Sequence, residues 1–374
     1  MYLRNQQTIA SFGPPQFSRI RVGINYPWFR YGWDFGEPPI GWRTRALWKT
    51  ALEADLDYFK CLGIFAVRWF ILGSGLNYPS GQRTAEWWMR NSDPPPLTPA
   101  FLQDFGDLLN TFWNKGMLLV PSLISRSFFG PSQISNGTQS GGHADIINDT
   151  SPYPRWQRFL DRVLEPLLNI SAPYHENIYA WELINEPELV TIESSFGNSS
   201  SKTVPQATML RFIREGLGRI NAKTGNNGRS LLRSTVGFFS WKTVFPGSLQ
   251  WRSLGATLHQ FHYYASEAEQ LPVHSFSPNY PIFIGEFATN PRHRTWPGLG
   301  SQDVESRLRF IESKGYPAAF LWSARACDQT VPTATDWSSN VHDLVRRYTG
   351  GANYPFCQQR VWNNRIPKTY PLCS

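Results

Sequence analysis

The sequence predicts an α/β protein folded as a single (β/α)8 barrel. Short runs of apolar and β-branched residues alternate with segments of helical spacing, which is typical of a parallel sheet. Eight such runs occur in 374 residues, a length that suits one large barrel better than two ordinary domains. No Gly-x-Gly-x-x-Gly turn follows a predicted strand, so a closed barrel is favoured over a doubly wound sheet. We place the barrel at residues 1–350, with a tail at 351–374 that packs on it.

The first two strands enclose a helix. Residues 20–26 alternate in polarity and stop at Pro27, as expected of a strand. Residues 43–62 have apolar side chains at helical spacing and precede a glycine, which commonly ends a helix. Residues 64–72 are an apolar second strand with Arg68 inside it.

A helix with recognisable ends leads to the third strand. Thr98 is a suitable N-cap, Pro99 suits the first helical position, and the pattern runs to Lys115. Residues 117–124 form the third strand. The stretch 130–150 is rich in Gly, Ser and Asn, which predicts a surface loop.

The fourth strand ends in a carboxylate. A helix at 154–169 leads into the mostly apolar residues 177–184, and Glu186 follows just after them. Pro187 is expected to hold Glu186 in an extended conformation, since the residue before a proline avoids the right-handed helical region. Catalytic side chains of such barrels are found at the C-terminal ends of the strands.

The seventh strand repeats this arrangement, because apolar residues lead to Gly285 and then to Glu286. The glycine leaves room for a group to approach the backbone closely. The other elements of the second half continue the alternation. They are helices at 206–223, 301–314 and 336–348, strands at 231–237, 257–264, 281–287 and 318–322, and a loop at 191–204.

The composition excludes several classes of protein. Apolar residues make up 41% of the chain and charged residues 17%, which predicts a packed core. The net charge is +8, but no run of Lys and Arg reaches five residues and no nucleic-acid motif is present, so we expect no nucleic-acid partner. No apolar run approaches the length of a membrane span, so we expect no membrane partner.

Aromatic residues are abundant, at 15% of the chain with 16 Trp. This excess indicates that some Trp line a cleft, because sugar rings stack on flat apolar faces. The alternative for each of them is packing against the barrel. The candidates for a sugar platform are Trp28, Trp33, Trp87, Trp88, Trp241 and Trp296.

The sequence leaves the cellular compartment open. The N-terminus lacks the apolar core of a secretory signal, so the protein either stays inside the cell or is a mature or truncated form. Four Asn-x-Ser/Thr sequons lean toward secretion. They are at Asn136, Asn148, Asn169 and Asn198. Cys61 is predicted to be a buried thiol in a helix, whereas Cys357 could pair with Cys373, or either of them with Cys327.

Two carboxylates face each other across the predicted barrel mouth, because strands four and seven end at one rim on opposing sides. Glu186 and Glu286 could thus supply the two carboxyl groups that glycoside hydrolysis requires. One carboxyl group protonates the leaving oxygen and the other attacks the anomeric carbon, and their separation decides the stereochemistry.

The residues around both glutamates resemble a known family. Trp181-Glu-Leu-Ile-Asn-Glu-Pro187 resembles the Asn-Glu-Pro signature of clan A glycoside hydrolases. Ile284-Gly-Glu-Phe287 resembles the nucleophile strand of family 5, the cellulases and β-mannanases. The resemblance covers residues 18–348, and Trp-Glu-Leu before Asn-Glu-Pro is particularly similar to the β-mannanase branch. It implies a retaining double displacement through a glycosyl-enzyme.

The resemblance also implies roles for single residues. Glu186 is the general acid/base and Glu286 is the nucleophile. Asn185 binds the 2-hydroxyl group of the sugar. Arg68 bonds the nucleophile and, as a nearby positive charge, keeps the pKa of its carboxyl low.

Further contacts are implied on strands six and eight. His262 and Tyr264 match a His-x-Tyr pair whose tyrosine bonds the nucleophile, and Trp322 matches the tryptophan that forms the floor of the sugar site. The alternative for the His-x-Tyr pair is packing at the barrel end with a satisfied hydrogen bond. The alternative for Arg68 is a core arginine paired with Glu182, which we read as structural.

One position departs from the family pattern. Many relatives have a histidine at the end of strand three, where this chain has Ser125. His143, in the following loop, could take the place of that histidine, but we expect it at the surface. The departure affects substrate contacts beside the nucleophile, and with them the choice of substrate.

We expect an enzyme that hydrolyses β-1,4-mannan or β-1,4-glucan, with mannan ahead. A metal enzyme is disfavoured because no His-x-x-x-His or Cys-x-x-Cys pair is present, and a non-catalytic sugar-binding barrel because both glutamates are retained. An exo-acting glycosidase or a transglycosylase would require loops such as 73–97 and 126–150 to block one end of the cleft. A polymeric substrate favours an extracellular protein, and we expect a monomer with no metal or cofactor.

Overall fold

The structure, a computed structural model, describes residues 20–351 apart from short gaps. The gaps are residues 30–31, 37–44, 79–92, 136–137, 224, 226–227, 229, 245–250, 252, 265–270, 275–280, 291–302 and 325–336. The predicted tail therefore lies outside the described residues except for its first position. Trp87, Trp88 and Trp296 also lie outside them.

Eight parallel strands close into a barrel, which confirms the predicted fold. They are β1 Arg21–Asn25, β2 Ala66–Gly73, β3 Leu118–Ser125, β6 Trp181–Asn185, β7 Ser234–Phe238, β8 His259–Tyr263, β9 Ile282–Ala288 and β10 Ala318–Trp322. The first strand pairs with both the second and the last, so the sheet closes on itself. Two further strands, β4 Gln133–Ser135 and β5 Thr138–Ser140, form a separate antiparallel hairpin.

Helices connect the strands around the barrel. The longer ones are α1 Arg45–Cys61, α2 Pro99–Lys115, α7 Gln206–Asn221, α9 Val304–Ser313 and α10 Ser339–Thr349. The shorter ones are α3 Arg126–Phe129, α4 Ala144–Ile147, α5 Arg155–Phe159, α6 Glu165–Ser171 and α8 Trp241–Val244. A π-helical turn at Leu160–Leu164 joins α5 to α6, and 3-10 turns lie at Ala172–Asn177, Pro187–Leu189 and Ser199–Ser201. No helix in the described part of the chain is long and apolar enough to cross a membrane.

The ends of α2 show how local chemistry sets a helix boundary. The Thr98 hydroxyl accepts a hydrogen bond from the Phe101 N–H, and Pro99 occupies the first turn. Gly116 ends the helix in the left-handed conformation, with φ of 61°. The bounds predicted for this helix are confirmed.

The barrel interior changes character along its axis. At the N-terminal end it is filled by a plug of apolar side chains that includes Ala66, Val120, Phe283 and Phe320. Side chains on one face of a strand recur at every second residue, so the next layer contains different positions of the same strands. That layer is polar and fully buried, and it contains Arg68, Ser122, Glu182 and Gln260. The other three residues of this layer all donate to the Glu182 carboxylate, which makes it a connected polar floor beneath the mouth.

The segment after β3 differs from the predicted surface loop. It contains the β4–β5 hairpin and α4, and His143 beside α4 is only 1% exposed, so its predicted surface position is wrong. The His143 ring lies 4.5 Å from the ring of Phe128, and burial lowers the pKa of the imidazole to about 3. Apolar side chains on both short helices bury the segment against the barrel. They are Phe128, Phe129, Ile146 and Ile147.

Cys61 ends α1 and is part of a disulfide, so the predicted free thiol is wrong. Helical spacing shows on which face of the helix a cysteine lies, but it does not show whether the cysteine forms a disulfide or with which other cysteine. Cys327, Cys357 and Cys373 lie outside the described residues, and the pairing predicted among them stays a prediction.

Candidate active site

Glu186 lies where the chain leaves the fourth barrel strand. Its φ of 54° and ψ of 49° are left-handed, so the predicted extended conformation is wrong. Proline disfavours only the right-handed helical region for the residue before it, and the Glu186 N–H donates to the Gly237 carbonyl at 2.5 Å. No other non-glycine residue in the described part has a positive φ. Such a conformation costs roughly 1–3 kcal/mol, which the surrounding contacts must offset.

Glu286 lies across the mouth in β9 and is 3% exposed. The Arg68 Nη1 group donates to its Oε1 at 2.6 Å, and the Tyr264 hydroxyl donates to its Oε2 at 2.6 Å. Each carboxylate oxygen therefore has a fixed donor, as the resemblance implied for Arg68 and Tyr264. The donors hold the side chain in one orientation.

Arg68 connects three strand ends and is completely buried. Its Nε and Nη2 groups donate to the two oxygens of Glu182, each at 2.6 Å, and Nη2 also donates to Asn185 Oδ1 at 2.6 Å. Both interpretations of Arg68 are thus correct, since it pairs with Glu182 and also bonds Glu286. Burial favours the neutral guanidine, but the two carboxylates raise the pKa of Arg68 above its ordinary value.

Two basic side chains contact Glu186, one from a strand and one from a short helix. The His262 Nδ1 atom of β8 lies 2.8 Å from Glu186 Oε1, and the Arg126 Nε atom of α3 lies 3.2 Å from Glu186 Oε2. The other ring nitrogen of His262 lies 3.4 Å from Glu286 Oε1. His262 therefore bridges the two glutamates, which is a closer involvement than packing at the barrel end.

The charged side chains around Arg68 and Glu186 do not balance when His262 is neutral. Two arginines, Arg68 and Arg126, face three carboxylates, those of Glu182, Glu186 and Glu286. With His262 neutral the cluster has one excess negative charge. A buried excess charge is unfavourable, which favours uptake of a proton by one of the site glutamates or by the imidazole.

The surroundings shift the pKa values of Glu186, Glu286 and His262 in different directions. Burial opposes ionisation of Glu186, but the hydrogen bond with His262 and the charge of Arg126 hold its pKa below the ordinary value. Burial raises the pKa of Glu286, although His262 and Arg68 act in the opposite direction, so Arg68 does not lower this pKa overall as predicted. Burial disfavours the imidazolium, yet the carboxylates of Glu286 and Glu186 raise the pKa of His262.

A cluster of aromatic side chains lies beside Glu286. Phe70 and Trp322, each 6% exposed, pack together with Ala288, and Trp28 and Tyr264 pack against this cluster. Trp28 and Trp322 thus belong to one cluster, and their role as a sugar platform stays a prediction. Trp241 begins α8 and packs, partly buried, against the main core, and its role toward a sugar also stays a prediction.

Asn185 is the last residue of β6 and is 7% exposed. Its Oδ1 accepts from Arg68, which leaves the amide Nδ2 group to donate elsewhere. This orientation is compatible with the hydroxyl contact that the resemblance implies. Its role toward a sugar stays a prediction.

Glu188 ties the turn after Glu186 to the loop beyond β7. It is 1% exposed, and its Oε1 accepts from the Phe239 N–H at 2.7 Å and from the Thr243 hydroxyl at 3.0 Å. Burial, with the nearby charge of Glu186 acting in the same direction, raises the pKa of Glu188 to about 7. Thr243 belongs to α8, so this carboxylate anchors the helix that begins at Trp241.

Sequence reasoning missed several residues of the site. Gln260 is one, although its position two residues before His262 places it on the same inward face. Gly285 leaves space for this side chain, since a Cβ there would overlap the Gln260 amide oxygen. Asn25, which accepts from Arg68 at 2.9 Å and donates to the Gly285 carbonyl at 2.9 Å, is another. Arg126 could have been found as a charged residue directly after a barrel strand.

Glu186, His262 and Glu286 could also be considered as metal ligands. One potential ligand atom of each lies within 4.8 Å of the others. Each carboxylate, however, already has a guanidinium neighbour, Arg126 for Glu186 and Arg68 for Glu286. A divalent cation would have to enter beside two fixed positive charges, so the residues present fit a metal poorly.

The fold recurs in solved structures of β-mannanases. No protein-family model and no curated protein sequence matches the chain. A β-1,4-D-mannanase from Cryptopygus antarcticus superposes with a TM-score of 0.66 at 20% identity, over 89% of this chain and 90% of that one. A β-mannanase from the blue mussel Mytilus edulis gives 0.64 at 19% identity, over 92% and 95%. An endo-1,4-β-mannanase from Eisenia fetida gives 0.66 at 19% identity, over 90% and 92%.

This chain has the same fold as these three enzymes. The similarity spans nearly the full length of each of them, so the barrel and most of its connections correspond.

Proposed function

We propose that this protein is a retaining β-glycoside hydrolase that acts on β-1,4-mannan, with β-1,4-glucan as the second candidate. The separation of the two glutamates carries the proposal. A carboxylate oxygen of Glu186 and one of Glu286 lie within 4.8 Å of each other. Retaining glycosidases hold their carboxyl groups roughly 5–5.5 Å apart, whereas inverting enzymes need roughly 6.5–9.5 Å to admit a water molecule.

In the first step Glu286 attacks the anomeric carbon and forms a glycosyl ester. Glu186 donates its proton to the leaving oxygen at the same time, so the bond to the leaving sugar breaks as an alcohol departs. Glu286 is suited to attack because Arg68 and Tyr264 fix both of its oxygens. A proton has to reside on Glu186 when the substrate is bound.

In the second step Glu186 acts as a base. It removes a proton from water, which attacks the anomeric carbon on the face that the leaving group vacated, and the ester bond to Glu286 breaks. The released sugar keeps its β-configuration and the enzyme returns to its initial state. His262 contacts both glutamates throughout and can follow the change of charge between them.

The preference for mannan rests on two observations. Several of the solved structures with this fold are β-mannanases, and Trp181-Glu-Leu precedes Asn-Glu-Pro in the sequence. The disulfide at Cys61 suits an oxidising compartment, which agrees with an extracellular enzyme that meets a polymer. We propose a monomer that needs no cofactor, since the acid, base and nucleophile are all side chains of one barrel.

The test is release of reducing sugar from mannan, glucomannan, cellulose, mixed-linkage glucan and xylan. We expect release from mannan by the wild type, and a loss of several orders of magnitude in Glu286→Ala with an unchanged unfolding temperature. Glu305→Ala, on the outer helix α9, controls for loss of an acidic residue and should be fully active.

The products distinguish the alternatives. Oligosaccharides of several lengths indicate endo-action, mannose alone indicates an exo-glycosidase, and products longer than the substrate indicate a transglycosylase. Activity that survives in Glu286→Ala contradicts the nucleophile assignment. A wild type that is inactive on every polymer and on aryl glycosides refutes the enzyme assignment and favours a sugar-binding barrel.

A further inference from the structure

Arg126 is a charged residue of the site for which the reaction scheme gives no role. It follows β3 directly and begins the single turn α3. Its Nε atom lies 3.2 Å from Glu186 Oε2, and its side chain is 38% exposed. Arg126 therefore reaches the acid/base from the solvent side of the cleft, opposite to Arg68, which is completely buried.

Strand register places Arg126 beside Glu186. Ser125, the last residue of β3, is the parallel partner of Asn185, the last residue of β6. The next residue on each strand is therefore Arg126 on one and Glu186 on the other. The Ser125 hydroxyl accepts from the Ser127 N–H, which fixes the turn where Arg126 begins α3. The contact between Arg126 and Glu186 is thus a consequence of the barrel itself.

The two oxygens of Glu186 have different neighbours. Oε1 pairs with His262, which is buried between both glutamates, whereas Oε2 pairs with the partly exposed Arg126. A leaving sugar has to approach from the open side of the cleft, so Oε2 is the oxygen that delivers the proton. Arg126 is next to the atom on which the acid charge develops when that proton leaves.

We propose that Arg126 is a positioning residue for the acid/base, which aims Glu186 Oε2 at the leaving oxygen and stabilises the carboxylate left after proton transfer. The inference rests on the proposed function, since it presumes that Glu186 is the acid. The charge of Arg126 is among the causes that hold the pKa of Glu186 below its ordinary value. A guanidinium here strengthens the acid and sets the pH above which the proton is lost.

Other charged groups also face Glu186, so the effect of Arg126 has to be separated from theirs. His262 of β8 and Arg68 of β2 favour the carboxylate. Glu188, two residues along the same turn, and Glu286 of β9 are like charges and favour the protonated acid. Substituting Arg126 leaves all four in place.

The direct test is a carboxyl ¹³C NMR titration of Glu186 in protein labelled at glutamate, with the signal assigned by its loss in Glu186→Gln. We expect the Glu186 midpoint to rise by about half a unit to one unit in Arg126→Met, the scale of a partly exposed ion pair. Arg126→Lys keeps the charge and should restore most of the wild-type midpoint. Arg309→Met, which removes an equal charge from an exposed pair on α9, should leave it unchanged.

A second measurement needs no variant. Raising the salt concentration screens a partly exposed charge but not a buried one, so the wild-type Glu186 midpoint should also rise with salt. An unchanged midpoint in Arg126→Met, or the same midpoint in Arg126→Lys as in Arg126→Met, overturns the proposal. If Arg126→Met fails to fold, the proposal is overturned when the wild-type Glu186 midpoint does not change with salt concentration.

The activity profile then links the titration to the reaction. The alkaline limb of kcat/KM should move upward in Arg126→Met by the same amount as the Glu186 midpoint, and Arg126→Lys should reverse the move. The titration is made without substrate, so it is readable whether or not the protein hydrolyses any glycan. An Arg126-dependent midpoint without hydrolysis supports the electrostatic contact and refutes the glycosidase proposal.

Discussion

Glu188→Gln should change how the stability of the protein depends on pH. The buried Glu188 carboxyl has a pKa of about 7 against an ordinary value of 4.5, a difference of 2.5 units. At 1.36 kcal/mol per unit this corresponds to about 3 kcal/mol of stability. Because the folded-state pKa is raised, the folded protein binds more protons than the unfolded chain between these two values. The stabilisation of the folded state by protonated Glu188 is therefore fully present below about pH 4.5, and it is lost as the pH rises through 7.

The glutamine variant keeps the hydrogen bonds that Glu188 accepts but removes its ability to ionise. Its amide oxygen can accept from the Phe239 N–H and the Thr243 hydroxyl as Glu188 Oε1 does, but it cannot ionise. Denaturant unfolding of both proteins near about pH 5 and about pH 8 measures the difference. We expect the free energy of unfolding of the wild type to fall relative to that of Glu188→Gln by roughly 2–3 kcal/mol between these two pH values.

The reasoning is refuted if the two proteins keep a constant difference in stability over this range. Glu193→Gln, an acidic residue whose carboxylate accepts from the Gln206 N–H at an exposed position, is a matched control and should show no such change. A pH-dependent difference in both variants would point to a general charge effect.

Two further predictions concern the site. Glu186→Ala should slow hydrolysis of alkyl β-mannosides far more than that of aryl mannosides with acidic phenols, because only poor leaving groups need protonation; equal losses on both, measured by kcat/KM, would exclude the acid role. Arg68→Met should destabilise the fold by roughly 3–5 kcal/mol, since it leaves Glu182 and Glu286 as buried carboxylates without their partner. Arg68→Met combined with Glu182→Met should regain part of that loss in denaturant unfolding, and a double variant no more stable than the single one would contradict the pairing.

The barrel could be predicted because each strand is specified locally. Eight apolar runs alternate with segments of helical spacing, and each glutamate lies at or near the C-terminal end of one of these runs. The strand bounds differ from the prediction by up to four residues, most at β6, which begins at Trp181 and not at residue 177, the last residue of a 3-10 turn.

The errors concern contacts between residues that are distant in the chain. The left-handed Glu186 depends on a hydrogen bond to Gly237, a residue on another strand. The burial of His143 depends on apolar side chains of α3 and α4, which lie within a stretch of loop-like composition. The sequence shows that Arg126 directly follows a barrel strand, but its contact with Glu186 depends on the register of β3 against β6. Local patterns contain none of this information.

The ion pairs of Arg68 join strands that are far apart in the chain, which matters if the protein is split into two fragments. Arg68 belongs to β2, whereas its partners Glu182 and Glu286 belong to β6 and β9. A fragment that ends after β3 would have the guanidinium without its anions, and the complementary fragment would have both anions without the cation. Reassembly of the two pieces would be driven by the same buried ion pairs that form the site. Recovery of catalysis would then report directly that the ring of strands had closed.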